Sequence, residues 1–252
     1  MNTIILCEGE SDLVVLSQYF RNRFGYEYIG SSKTSGDDMM KACCYGRGDD
    51  RLVIRMANGV TNFPQVLSDV LRTNRINTDD QSQFTHIAVI SDHDSAEETN
   101  LLVGNLNQVL AEYYLPNFQE GGWCHGQQRT QMGERAIEVA LLFLRIPLEE
   151  NGALETLLLS ALEQTADGVY LAPASRNFID DLIQHREAHA MNYLSTRADQ
   201  VKAPLAVFLA VASPTRIYQQ QQEVFNMINW ASLVKMRSTL QAFDILDGQE
   251  QA

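Results

Sequence analysis

Three carboxylates surround one glycine in Glu8-Gly9-Glu10-Ser11-Asp12, and two more bracket a histidine in Asp92-His93-Asp94. Each group follows a short apolar run, "TIILC" in the first case and "IAVI" in the second. Carboxylates that meet in one cleft repel each other and call for a cation. An all-oxygen donor set of this kind suits Mg2+ or Mn2+, which bind through a few carboxylates and keep waters for phosphate oxygens. Asp92 and Asp94 stand at i and i+2 past an apolar run, so in an extended chain they point the same way and can share one ion. Glu8 and Asp12 stand at i and i+4, which fits a turn feeding a helix, with Gly9 permitting the tight backbone. Two such groups can hold two cations that clamp the attacking and leaving oxygens of a phosphodiester. Taken singly, each run reads as well as a solvated helix start, where acids are favoured by the helix dipole. Their pairing at two strand ends favours the metal site.

The elements that must position these acids follow from the pattern. Thr3–Cys7 is a continuously apolar, buried strand of the parallel type. A helix follows with Leu13, Leu16, Tyr19 and Phe20 at helical spacing and Ser11 or Asp12 as its N-cap. Gly30–Arg51 is polar and glycine-rich and reads as a loop with one short helix. "RLVIRMANG" is a second strand ending at Asn58-Gly59, followed by a helix with Phe63, Val66, Leu67, Val70 and Leu71 on one face. Ile87–Ile90 is a third strand, followed by a helix over Thr99–Leu115. Phe118–Arg135 is a loop or hairpin, Val139–Ile146 a further strand, and a helix opens at about Leu154. The last third carries helical patterns over Asn177–Leu194, Lys202–Ala212 and Tyr218–Leu246. The fold class is therefore α/β, with a mainly parallel sheet flanked by helices. Residues 1–160 form the α/β domain, and residues 161–252 form a helical region packed on it or capping it. Chemistry in such folds sits beyond the carboxyl ends of the strands. If the first and third strands are neighbours, the four acids converge.

With 252 residues and 45% hydrophobic content the chain can bury a sizeable core. No run of about 18 apolar residues is present, and no basic segment precedes the first apolar stretch, so neither a membrane span nor a signal peptide is expected. Cys7, Cys43, Cys44 and Cys124 have no metal-ligand spacing and suit a reduced, cytoplasmic protein. The net charge of −13 is uneven. Residues 21–75 carry nine Lys/Arg against six Asp/Glu, while residues 76–252 carry ten against twenty-three. Such acidity argues against a nucleic-acid coating protein, and the 21–75 stretch is the one candidate for a substrate-facing basic surface.

The two acidic runs, "ILCEGESD" and "AVISDHD", resemble the Toprim domain of topoisomerases, primases and OLD-family nucleases. Glu8-Gly9 matches the glutamate–glycine that ends the first Toprim strand, Asp92-His93-Asp94 matches its D-x-D, and Asp12 matches the second acid of the OLD-type variant. Asn58-Gly59 stands where a glycine pair is commoner. "LRIPLEENGALETLLLSAL" and the helical tail from Asn177 to Leu246 resemble an uncharacterised bacterial Toprim-like family. The resemblance implies a metal-dependent nuclease. Glu8 would act as general base or metal ligand, Asp92 and Asp94 as ligands, and Glu155 as a further ligand from a helix start. It implies Mg2+ or Mn2+, a DNA substrate more than RNA, and a separate ATPase partner. A homodimer is compatible with it. OLD-type nucleases also use a lysine near the site. The sequence does not place one, Lys202 in "QVKAPLAVF" being only a positional guess.

Other signals carry less. A Glu in the first turn of a helix, such as Glu155, more often complements the dipole. His93 more readily turns into packing or solvent than toward a metal. His185 and His189 share a helix face without the H-E-x-x-H order and read as solvated. Arg47-Gly48-Asp49 is a chance tripeptide. No G-x-x-x-x-G-K-[ST] or G-x-S-x-G occurs, so neither ATP hydrolysis nor the commonest serine hydrolase chemistry is expected. A second reading is a non-catalytic Toprim-like module whose acidic cleft takes a metal or a basic protein partner, which the net charge also suits.

Overall fold

The structure is a computed structural model. It describes residues 1–33, 41–77, 82–93, 95–131, 135–148, 152–166, 168–189, 192–213, 225 and 228–247. The strands are β1 (Asn2–Cys7), β2 (Glu27–Lys33), β3 (Lys41–Arg47), β4 (Asp50–Met56), β5 (His86–Asp92), β6 (Cys124–Arg129) and β7 (Ala136–Ile146). The helices are α1 (Glu10–Phe24), α2 (Phe63–Ile76), α3 (Ala96–Glu112), α4 (Leu154–Leu162), α5 (Gly168–His189), α6 (Arg197–Ala212) and α7 (Val234–Thr239). The seven strands form one mixed sheet in the order β2-β3-β4-β1-β5-β7-β6. The central strands β4, β1, β5 and β7 run parallel. β2 and β3 extend one side antiparallel, and β6 closes the other as a hairpin with β7. The expected α/β class holds, and β1 and β5 are neighbours.

The pleat sorts the core. Ile5, Cys7, Ile54 and Ile90 face one layer, where α1 and α4 pack with Leu16, Phe20, Leu157 and Leu158. Ile4, Leu6, Val53 and Val89 face the other, where α2 and α3 bring Val66, Leu67, Leu102 and Leu106. A strand covered on both faces has no reason to alternate, which explains the unbroken apolar run of β1. The first layer also takes Trp230, Leu233, Met236, Leu240 and Phe243 from the C-terminal segment.

Three expectations are corrected. Gly30–Arg51 is not a loop with a short helix: its described parts belong to β2, β3 and β4 and to the turn at Gly48-Asp49. Gly30, at φ 144°, sits at a register shift in the β2–β3 pair, so glycine here marks an irregular strand. Helix α5 begins at Gly168, well before Asn177, with Pro173 inside it. Tyr218–Leu246 is not one helix. Its described portion consists of short turns, with 3-10 segments at Trp230–Ser232 and Gln241–Asp247 flanking α7. Among the described residues no helix is long and apolar enough to cross a membrane. None of the four cysteines is in a disulfide.

Candidate functional site at the carboxyl edge of the sheet

Glu8 leaves the end of β1, and the chain turns at Gly9, the N-cap of α1, into the first helical turn. Asp12 sits at the third helical position and reaches back, so that the Gly9 N–H donates to its Oδ2 at 2.8 Å. Asp12 thus caps the helix from inside, in place of the N-cap role expected of Ser11 or Asp12. The turn is held from the β4 side: the Ala57 N–H donates to the Cys7 carbonyl at 2.8 Å and the Gly59 N–H to the Glu8 carbonyl at 3.1 Å. Asn58 and Gly59 adopt φ of 57° and 108°, which lets the chain double back there.

Asp92 ends β5, and the Leu154 N–H at the start of α4 donates to its Oδ1 at 3.4 Å. Glu155 follows on the same turn and is only 5% exposed, too buried for the role of a solvated dipole complement. Lys202, from α6, stands 3.4 Å from Glu155 Oε1 and donates to Ser11 Oγ at 3.1 Å. Four segments far apart in sequence therefore meet at one edge: the β1–α1 turn, the end of β5, the start of α4, and α6. Asp94 lies outside the described residues.

The electrostatics are those of acids short of positive charge. Asp12 is 4% exposed. Burial and the Glu155 charge push its carboxyl up to about 7, against the Gly9 N–H and Lys202. Burial, then the charges of Asp12, Glu8 and Glu155, push Asp92 up to about 9. Burial pulls the Lys202 ammonium down, but Glu155, Asp12 and Asp92 outweigh it and hold it above its ordinary value. Lys202 is thus protonated and does not serve as a base. Asp12 Oδ1 and Glu155 Oε2 are buried and receive no hydrogen bond, and Glu155 Oε1 has only the long ion pair to Lys202. Buried carboxylate oxygens without donors are costly, and a hard divalent cation answers that need. Among the described residues, no three Asp, Glu, His or Cys side chains are already drawn together into a metal cage. The donor set fits Mg2+ or Mn2+ in type, with Asp12, Asp92, Glu155 and Glu8 as the oxygens available.

Neighbouring groups take other roles. His93 turns into the packing: its Nδ1 donates to the Pro147 carbonyl at 3.1 Å and its Nε2 accepts from Arg145 Nη1 at 3.3 Å. Its backbone exchanges hydrogen bonds with Gly152, which ties the end of β5 to the segment leading into α4. Ser95, not an acid of the S-D-H-D run, caps α3 by accepting from the Glu98 N–H at 3.1 Å. His185 lies exposed on α5, and the side chain of His189 is outside the described residues. Ser11 as a partner for Lys202 has no signature in the sequence. It becomes visible only once α6, packed on α4 and α5, brings Lys202 to the first turn of α1. Much of the basic 21–75 stretch is already engaged: Arg23 and Arg47 with Asp247, at 3.1 and 3.4 Å, and Arg72 with Asp69 at 3.0 Å.

No family model matches the chain, and no curated protein matches it. Among solved structures, the chain is similar to the crystal structure of a hypothetical protein from Pyrococcus horikoshii OT3. The two share 16% sequence identity with a TM-score of 0.51, over 98% of this chain and 98% of that one. The likeness is one of fold across the whole length.

Proposed function

We propose that the chain is a divalent-cation-dependent phosphodiesterase acting on nucleic acid, of the Toprim, OLD-like type. The observation that carries this reading is the pair of buried carboxylate oxygens without a hydrogen-bond donor, Asp12 Oδ1 and Glu155 Oε2, beside Asp92, Glu8 and Lys202. They lie at the carboxyl edge of β1 and β5, where such folds place their ligands. Bound Mg2+ or Mn2+ would supply Lewis acidity at a phosphoryl oxygen and an activated water. Asp12, Asp92, Glu155 and Glu8 would hold it. Lys202 keeps its proton and offers charge to a phosphate, with Ser11 and Glu155 fixing the position of its Nζ. Glu8, only partly buried, is the acid placed to accept a proton. DNA as substrate and a separate ATPase partner rest on the resemblance of the two acidic runs to the OLD type.

A second reading is a non-catalytic module that binds a metal or a basic partner. It draws on the ion pairs that engage Arg23, Arg47 and Arg72 and so remove much of the basic surface. One experiment separates the two. Mn2+ and Mg2+ are titrated calorimetrically into the full chain and into Asp92→Asn, and Mn2+-supported cleavage of a DNA oligonucleotide is then followed for both. Binding and cleavage that both vanish in Asp92→Asn support the phosphodiesterase. Binding without cleavage supports the module. No binding, with or without the oligonucleotide, overturns the cation site.

A further inference from the structure

Asp92 has a second neighbourhood. Between the turn after β4 and the first turns of α3 lies a cleft of about 280 Å³, lined in part by Asp92 itself. Its apolar wall is Val60, Pro64, Leu101 and Leu102. Val60 and Leu101 are 36% and 62% exposed, large apolar side chains that the core does not use. Ser91, Thr99 and Asn105 add hydroxyl and amide groups, and Glu98 adds a second carboxylate. Among the described residues, no Lys, Arg or His lines it.

This lining selects by chemistry. Without a cation it does not suit a phosphate, which binds through Lys, Arg or backbone N–H groups. Carboxylates and hydroxyls suit an uncharged group that donates hydrogen bonds, while the aliphatic wall suits a flat ring face. A nucleobase has both features, with its amino and ring N–H donors on the edge used for pairing. The volume lies just below the range for drug-sized pockets, roughly 300–1,000 Å³, and so accommodates one ring system with its sugar rather than a duplex. In a duplex those edge donors are already taken. We propose that the cleft receives the base and sugar of one unpaired nucleotide whose phosphate lies against the acidic site, so that single-stranded ends are the preferred substrate. The substrate preference rests on the phosphodiesterase reading; the nucleoside site does not.

The test uses the full chain and two probes. Unphosphorylated thymidine and adenosine are titrated against methyl NMR signals in wild type, Leu101→Asp and Val60→Asp. Both altered positions are exposed, and unchanged spectra away from the cleft report an intact fold. Saturable shifts at Val60 and Leu102, with affinity falling about tenfold in Leu101→Asp, are expected. Unshifted methyls at millimolar nucleoside, or wild-type affinity in both variants, overturn the assignment. Separately, Mn2+-supported hydrolysis of bis(p-nitrophenyl) phosphate by the wild type reports phosphodiester cleavage without any nucleobase. A single-stranded oligonucleotide is expected to be cut about tenfold faster than the same strand in a duplex. Equal rates on the two overturn the substrate preference. Hydrolysis without nucleoside binding overturns the cleft assignment alone. Nucleoside binding without hydrolysis supports the cleft and removes the phosphodiesterase reading.

Discussion

Asp12 and Asp92 hold their protons in a range where most carboxyls are already charged, up to about 7 and about 9. The unfolded chain releases those protons near pH 4, so the folded state binds more protons above that point. The stability these acids contribute is therefore complete below about pH 4 and falls as pH rises toward the folded values. Denaturant titrations of the metal-free protein should show stability falling by several kcal/mol as pH rises from about 4 to about 9. Asp92→Asn should flatten much of that loss and be more stable than wild type at pH 8, while losing Mn2+ binding. An acid that only caps a helix would give the opposite sign. Lys202→Met leaves Glu155 buried without its cation partner. With Lys202 40% exposed and Glu155 only 6%, urea unfolding should show a loss of about 1–3 kcal/mol, below the cost for a fully buried pair. Under the proposed phosphodiesterase function, the cleavage rate of this variant should fall roughly 100-fold. Burial and the charges of Asp12 and Asp92 push the Cys7 thiol well up, so iodoacetamide should leave Cys7 unmodified in the folded protein at pH 8.

At the scale of elements, the strand ends were the legible part. β1 and β5 announce themselves by unbroken apolar runs, and Glu8, Asp12 and Asp92 could be placed at their ends from the chain alone. Glu155 was readable as a helix-start acid but not as a buried one. That depends on the Gly152–His93 bridge, which draws the start of α4 against the end of β5. Lys202 has no signature in the chain because its role is set by the packing of α6 on α4 and α5, which leaves no local pattern. β2 and β3 were missed because Gly, Ser and Cys dilute the alternation of strands on the outer part of the sheet. The start of α5 was hidden by Pro173, which ordinarily breaks a helical run. The turn at Asn58-Gly59 is the element on which the site most depends, since the Gly59 N–H anchors the Glu8 carbonyl. A methyl group at Gly59 meets nothing within 4 Å, so its cost is conformational alone at φ 108°. Gly59→Ala should lower stability by about 1–2 kcal/mol and weaken Mn2+ binding, read by thermal melts and calorimetry.

For the whole molecule, the C-terminal segment belongs to the core beneath α1. Met236, Leu240, Phe243 and Leu246 are at most 1% exposed. Phe243 meets Phe20 edge-on at 5.1 Å, and Arg23 pairs with both Asp244 and Asp247. Four such side chains, at about 1.5–3 kcal/mol each, rival the net stability of a typical fold. A chain ending at Leu233 should therefore fail to show a cooperative thermal transition. The same docking places Trp123 against the C-terminal turn, its Nε1 donating to the Ala242 carbonyl at 2.7 Å and its ring 6.1 Å from Phe243. The chain has two tryptophans, and the second, Trp230, lies within that C-terminal segment. Intrinsic fluorescence is thus a built-in gauge of the tail. Its emission should stay constant when a cation binds at the acidic edge, and should redden and lose intensity the moment the last turns peel away from the sheet.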